Sequence, residues 1–186
     1  MLTVFLDANV LVPVALADTI LRCAERELFR PAWSERVLTE AKQAILTVNP
    51  DLSPSRVDYR LTSMRQAFPE ATVTNYEKLI EQVHLPDPDD RHVVAAAHRY
   101  GADLIVTNNL KHFPKGELFR HSLEVVNADH FLQDMLDLAP NTLVKVITSQ
   151  AADMKNPPRN VSDILITLGR AGVTGFVQDY RALTAN

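Results

Sequence analysis

The chain has 186 residues, of which 46% are hydrophobic and 23% are charged, with one cysteine and a formal net charge of −4. These ordinary globular values exclude a disordered chain, a collagen-like repeat and a long coiled coil. Cys23 has no partner for an internal disulfide, which favours a reducing compartment such as the cytoplasm. The N-terminus lacks a basic n-region, and no apolar run approaches the roughly 18 residues of a membrane helix, so neither a signal peptide nor a membrane anchor is expected.

The first half of the chain begins with a short apolar run, residues 2–6, that predicts a buried strand. Asp18 or Thr19 is expected to begin a helix that reaches Phe29 and stops at Pro31, with Arg22, Arg26 and Arg30 stacked along one face. The capping signals predict further helices at residues 34–48, 53–68, 74–81 and 90–100, with Gly101 closing the last in the left-handed conformation.

The second half adds two short apolar strands, at residues 103–106 and 123–126. Short apolar strands separated by helices predict an α/β fold with a parallel sheet. From Asp129 onward only helical patterns remain, at residues 129–138, 141–154, 161–171 and 174–183. The predicted domains are therefore residues 1–128 and a helical extension, residues 129–186.

Acidic and amide side chains follow the predicted strands or precede a helix: Asp7, then Asp87, Asp89 and Asp90, and finally Asn109. Because the carboxyl ends of parallel strands share one edge of a sheet, these side chains are expected to converge in one crevice. Clustered carboxylates repel each other, and a divalent cation relieves that repulsion. Oxygen ligands without cysteine favour Mg²⁺ or Mn²⁺, which promote attack of water on a phosphate ester. Taken singly, each of these acids is also explained as a turn or helix-cap residue.

Four ordered motifs resemble those of PIN-domain ribonucleases. They are VFLDANVL at residues 4–11, SERVLTE at 34–40, DPDDRHVVAAA at 87–97 and GADLIVTNN at 101–109. The resemblance covers roughly residues 1–129. It implies a three-layer α/β/α fold with a parallel sheet, Mg²⁺ or Mn²⁺ as cofactor, and hydrolysis of phosphodiester bonds in single-stranded RNA. Small bacterial members of this family are commonly VapC-type toxins of toxin–antitoxin pairs, so the resemblance implies an antitoxin partner, and PIN proteins tend to form dimers.

The resemblance also implies residue roles. Asp7 and Asp90 hold the metal, with Asp89 close behind in the motif match, and Glu40 binds it directly or through water. Asn109 orients a water molecule, and Thr107 fixes the loop. The candidate substrate-binding residues are Thr107, Asn9, Arg91 and Lys111.

One departure from the family pattern concerns Asn109, because many relatives have aspartate there. It leaves open whether two metal ions bind. It also leaves open whether the protein is a PIN module that binds RNA or a protein without cutting. A haloacid-dehalogenase-like phosphatase fits less well, because that family needs a second aspartate where Asn9 stands and an acidic pair after its threonine strand, whereas Asp89 and Asp90 precede Thr107.

Three further groups of side chains lie largely outside the motifs. Lys111, His112 and Lys115 either flank the crevice or are solvated loop residues. Trp33 is expected in the core rather than stacked on a base. The remaining histidines show no metal-ligand spacing and are assigned surface or capping positions: His84, His92, His98, His121 and His130.

Overall fold

A computed structural model describes residues 1–185. The chain divides into two compact units, and we describe each by itself. The first unit comprises Met1–Val12 and Phe29–Val126; the second comprises Pro13–Leu28 together with the residues from Asn127 onward. The predicted domain boundary near residue 128 stays a prediction, and the structure groups residues 13–28 with the C-terminal helices.

The first unit is built on a five-stranded parallel sheet with strand order β3-β2-β1-β4-β5. The predicted α/β class with a parallel sheet is therefore confirmed. The strands are β1 (Thr3–Leu6), β2 (Arg30–Ser34), β3 (Thr72–Val73), β4 (Leu104–Val106) and β5 (Glu124–Val126). Strand β1 lies between β2 and β4 and is apolar from Val4 to Leu6, and its side chains are fully or nearly fully buried, as expected for a central parallel strand.

Strands β2 and β3 were missed by the sequence analysis, which placed only a helix stop and a cap between Pro31 and Ser34. Proline cannot donate to a ladder, so a central strand is an unusual place for it. Here β3 pairs only with Trp33 and Ser34 of β2. Pro31 has no partner residue on β3, so its missing N–H leaves no hydrogen bond of that ladder unmade. Trp33 is fully buried, which confirms the core reading of this side chain.

The remaining elements of this unit are short helices around the sheet. The α-helices are α1 (Ala8–Leu11), α3 (Glu35–Val48), α4 (Pro54–Ala67), α5 (Arg91–Tyr100) and α6 (Lys115–Arg120), and 3₁₀ turns cover Glu77–Gln82, Pro88–Asp90 and Leu110–His112. Ser34 caps α3 by accepting from the Val37 N–H, and Gly101 ends α5 with a φ of 74°, both as predicted. The helix predicted at residues 74–81 is instead the first 3₁₀ turn.

The second unit is all helical: α2 (Val14–Glu25), α7 (Ala128–Leu138), α8 (Pro140–Asp153), α9 (Val161–Arg170) and α10 (Thr174–Thr184). The four C-terminal helices were predicted to within about two residues. Helix α2 begins and ends about four residues earlier than predicted, because the chain leaves the helix at Arg26 and Glu27 adopts a φ of 59°. Arg30 is therefore in a strand, so the predicted arginine stripe does not form, and Arg22 pairs with Asp18 and Asp153.

Buried polar contacts tie α2 to α8 inside this unit. Thr19 donates to Gln150 Oε1 at 2.8 Å, and the Gln150 amide donates to the Ala15 carbonyl at 3.0 Å. Both side chains are fully buried. Among residues 1–185, no helix has the length and apolar character needed to cross a bilayer.

Candidate active site

The ends of β1 and β4 are joined by a hydrogen-bond network centred on Asp7. The Asp7 Oδ2 atom accepts from the Thr107 hydroxyl and from the Asn9 amide, each at 2.6 Å. Its other oxygen accepts from the Ala8 N–H at 2.7 Å, which makes Asp7 the N-cap of α1. A carboxylate offers about four lone-pair positions, and these contacts use three of them. One position on Asp7 is thus left for a further ligand.

Asp7 is only 5% exposed, and its environment resists ionisation. Burial raises the pKa of Asp7 above its ordinary value, and the negative charge of Asp90 adds to the rise, while the hydrogen bonds from Thr107 and Ala8 oppose it. The two carboxylates are therefore close enough to interact, as the convergence at one sheet edge predicts. A bound cation reverses this effect, because it stabilises both charged carboxylates.

The acidic turn before α5 brings together a mixed group of ligands. Asp87 caps the Pro88–Asp90 turn by accepting from the Asp89 N–H at 3.0 Å. Asp90 Oδ2 lies 2.7 Å from His112 Nδ1, and Asp87 Oδ2 lies 3.9 Å from the same nitrogen. Ligand atoms of Asp87, Asp90 and His112 all lie within 4.8 Å of one another, a spacing that can hold a metal ion. The structure brings Asp87 into this group; Asp89, a predicted ligand, is not part of it.

Glu40 projects from α3 and is held by two donors. His92 Nε2 lies 3.1 Å from Glu40 Oε1, and Arg36 Nε donates to the same oxygen at 3.0 Å. Burial raises the pKa of Glu40, but the hydrogen bonds and charges of His92 and Arg36 outweigh it and leave the pKa below its ordinary value. Arg36 also donates to the carbonyl of Asp89 at 3.3 Å, which links α3 to the acidic turn.

The remaining predicted site residues fall into two groups. Thr107 and Asn9 belong to the interior network: Thr107 is fully buried, and the Asn9 amide also donates to Thr107 at 2.8 Å and accepts from the Asn108 N–H at 2.9 Å. Both side chains contact Asp7, and their role in substrate binding stays a prediction. Asn109 and Lys111 are exposed. The Asn109 N–H donates to Thr107 Oγ1 at 3.2 Å, so Thr107 fixes the loop as predicted.

Sequence reasoning gave no metal-ligand role to Asp87 or His112 and did not place His92 beside Glu40. Asp87 was expected in the crevice, His112 either beside it or in a solvated loop, and His92 at a surface or capping position. His92 is only 2% exposed. Its spacing gave a signal, because it follows Asp90 by two residues and precedes the buried run of residues 93–97. His112 and Asp87 are brought together only by tertiary structure.

The donor chemistry of the site fits a divalent cation. Three carboxylates, Asp7, Glu40 and Asp90, come from three separate elements, and the two that interact raise the cost of ionisation without a counter-charge. Hard oxygen ligands of this kind suit Mg²⁺ and Mn²⁺, and an imidazole nitrogen extends the set toward transition metals.

A family model described as a PIN domain matches residues 3–111. The chain belongs to the PIN-domain family. The match includes all four motifs and the candidate site residues from Asp7 to Lys111, so the expected family is confirmed. A second family model, described as the VapC50 C-terminal domain, matches residues 128–182, which cover α7 to α9 and most of α10 of this PIN-domain protein.

A curated relative supports the same assignment. The chain is 41% identical over 80 residues to a Mycobacterium tuberculosis protein described as "Putative ribonuclease VapC50". The aligned stretch covers 43% of this chain and 47% of that protein, so it spans about half of the relative's length. No solved structure matches the chain.

Proposed function

We propose that this PIN-domain protein is a metal-dependent endoribonuclease that hydrolyses phosphodiester bonds of single-stranded RNA. The observation that supports this function most strongly is that Asp7 and Asp90 interact through their charges, while Glu40 is held by His92, two residues after Asp90. The printed name of the mycobacterial relative, a ribonuclease, agrees with it. The expected products carry a 5′-phosphate and a 3′-hydroxyl.

The proposed site residues divide the work between metal and substrate. Asp7, Asp90 and Glu40 would hold the ion, with Asp87 and His112 beside Asp90 as further ligands. When bound, the ion would supply Lewis-acid stabilisation of the phosphoryl oxygens and activation of water. Asn109 is exposed on the loop after β4 and is proposed to orient the attacking water through its side-chain amide. Thr107 and Asn9 hold the Asp7 carboxylate in one orientation.

Positive charge near the acids is supplied by Arg91 and Lys111. Lys111 is exposed beside Asn109. Arg91 follows Asp90 directly and is half-buried. Guanidinium groups pair well with phosphate oxygens. Both side chains are therefore proposed to contact the RNA backbone.

The metal is proposed to be Mn²⁺ in preference to Mg²⁺. His112 Nδ1 joins the carboxylates of Asp87 and Asp90 in a single group. Mg²⁺ is usually bound through oxygen, whereas imidazole ligands suit transition metals. The nitrogen ligand that His112 offers therefore favours Mn²⁺ over Mg²⁺.

In the cell, we propose that the protein is the toxin of a toxin–antitoxin pair that acts in the cytoplasm. The VapC50-type match of the C-terminal helices supports this assignment. Its partners are then RNA, a cognate antitoxin protein and a second copy of the chain. A short neighbouring gene for a DNA-binding protein with a disordered tail is the expected genomic companion.

Cleavage of a labelled single-stranded RNA pool tests the proposed activity. Wild type is compared with Asp7→Asn and Asp90→Asn in Mn²⁺, Mg²⁺ or EDTA. Asp58→Asn is the matched control, since Asp58 pairs with Lys42 on α4 and α3, away from the motifs. We expect metal-dependent cutting by wild type and Asp58→Asn that both site variants lose.

Calorimetry with Mn²⁺ on the same proteins separates the alternatives. If the protein binds RNA but neither cuts it nor binds metal, it is a binding module and not a nuclease. This is the alternative that the neutral Asn109 keeps open. Metal binding without cutting shows that the pool lacks the substrate, and a pool of structured cellular RNA is the next probe.

A further inference from the structure

His92 is a buried polar side chain in the first turn of α5. It is only 2% exposed, and the five residues that follow it, Val93–Ala97, are all apolar and buried. Its Nε2 atom lies 3.1 Å from Glu40 Oε1. Its Nδ1 atom is buried and has no hydrogen-bond partner in residues 1–185. The contact with Glu40 is thus the polar interaction that the structure gives this ring.

A buried ring nitrogen without a partner is costly for the fold. An unsatisfied buried polar group costs about 1–3 kcal/mol, and an apolar side chain of similar size avoids that cost. Packing alone therefore does not account for a histidine at this position. The contact with Glu40 supplies a reason, because a carboxylate can only accept and Nε2 must donate.

The geometry around Glu40 shows what that contact does. His92 and Arg36 both donate to Oε1, from α5 and from the preceding turn of α3. Within the described part of the chain, the two closest contacts of this carboxylate are both to Oε1, and no hydrogen bond reaches Oε2. One oxygen of Glu40 is therefore fixed and the other is left available.

We propose that His92 is a positioning residue that orients Glu40 so that its free oxygen faces the metal. This inference rests on the proposed function, in which Glu40 is a metal ligand. It joins the second motif to the third, because His92 lies in the first turn of α5, two residues after Asp90. Partners that orient metal ligands typically contribute about 10- to 100-fold to metal affinity or activity.

The test compares His92→Gln with His92→Met. Glutamine and methionine are both unbranched and of similar length, but only glutamine carries an amide donor where Nε2 stands. Affinity for Mn²⁺ is measured by calorimetry, and kcat and KM are measured on labelled RNA. We expect His92→Met to bind Mn²⁺ about 10- to 100-fold more weakly and to lose kcat with little change in KM, and His92→Gln to recover most of both.

A double-mutant cycle distinguishes positioning from a merely structural role. If His92 acts through Glu40, His92→Met has no further effect on Mn²⁺ affinity in the Glu40→Gln background. Equal losses in both backgrounds overturn the proposal. Wild-type affinity in His92→Met also overturns it.

Two additional variants keep the test independent of folding. Arg36→Met removes the second donor to Oε1 from a half-exposed position, so it reports on the same oxygen if His92→Met does not fold. A loss of Mn²⁺ affinity supports the fixed-oxygen arrangement, and an unchanged affinity contradicts it. His98→Met, on the exposed end of the same helix, is the matched control. Absence of Mn²⁺ binding by wild type overturns the inference together with the proposed function, whereas the outcomes above overturn the inference alone.

Discussion

The Thr107 hydroxyl donates to the Asp7 carboxylate over 2.6 Å and joins residues that are 100 positions apart. The Thr107 hydroxyl oxygen also accepts from the Asn109 N–H and from the Asn9 amide. A single buried hydroxyl thus connects the first motif to the fourth, and the orientation of Asp7 depends on it.

Replacement of this threonine tests that dependence. Thr107→Val keeps the shape of the side chain but leaves donors and an acceptor unpaired, so we expect unfolding free energy to fall by about 1–3 kcal/mol and Mn²⁺ affinity to fall with it. Thermal unfolding and calorimetry measure the two effects. The control is Thr19→Val in the other unit, which removes a buried hydroxyl of the same kind. A loss of stability with equal Mn²⁺ affinity in both variants would show that Thr107 is structural only.

The nitrogen ligand makes a prediction about metal choice. We expect His112→Gln to weaken Mn²⁺ binding about tenfold and to change Mg²⁺ binding much less, because imidazole contributes more to the transition-metal ion. Asp87→Asn should weaken both ions, since it removes a carboxylate oxygen that both accept. Calorimetry with each ion gives the ratio. An unchanged Mn²⁺/Mg²⁺ ratio in His112→Gln would remove His112 from the ligand set.

The close packing around Gly175 predicts how a substitution there affects the C-terminal helices. A Cβ atom there would lie 2.9 Å from Asp129 Oδ2 and from Gln133 Nε2. Asp129 cannot easily move away, because it accepts from the N–H groups of Gly175 and Phe176 at 3.0 and 2.8 Å. We therefore expect Gly175→Ala to lower the unfolding free energy by about 1–3 kcal/mol.

The control for this substitution is Gly169→Ala in α9. Nothing lies within 4 Å of a Cβ atom at Gly169, so alanine should stabilise the helix by up to about 1 kcal/mol. Chemical denaturation of both variants measures the difference. Stabilisation by both substitutions would mean that the Asp129 contacts are not maintained in solution.

The ion pair between Glu35 and Arg65 predicts a pH dependence. Two hydrogen bonds, of 2.9 and 2.6 Å, hold the carboxylate, and the bonds and charge of Arg65 lower the pKa of Glu35 below its ordinary 4.5 against the opposing effect of burial. A lowered folded-state pKa gives stability that is present above pH 4.5 and is lost as the pH falls through the folded value. Both side chains are more than one third exposed, so the contribution is less than about 1 kcal/mol.

Glu35→Gln tests this sign. We expect it to be less stable than wild type at pH 7 and equal to wild type near pH 3, as measured by urea denaturation. Glu81→Gln is the control, because Glu81 is exposed and has no ion pair among the described residues. A Glu35→Gln deficit that persists at low pH would point to lost packing instead of lost charge.

Local patterns were sufficient for much of this fold. Ser34 and Gly101 mark helix ends through their own chemistry, and the apolar runs at β1, β4 and β5 mark buried strands. Strand β2 was hidden because its proline acts as a helix stop in a local reading, and only the short β3 partner makes it acceptable in a central position. Helix α2 began earlier than predicted, because the amphipathic pattern does not record the left-handed turn at Glu27.

The sequence by itself determined the family, the order of the four motifs and the carboxylates that they contribute, because each motif is a local pattern of strand end or helix start. Only the tertiary structure decided how those side chains are held. Thr107 is bonded to Asp7, His92 to Glu40 and His112 to Asp90 across 22 to 100 positions of sequence. Contacts of that separation follow from the register of parallel strands and the packing of helices, which no local spacing specifies.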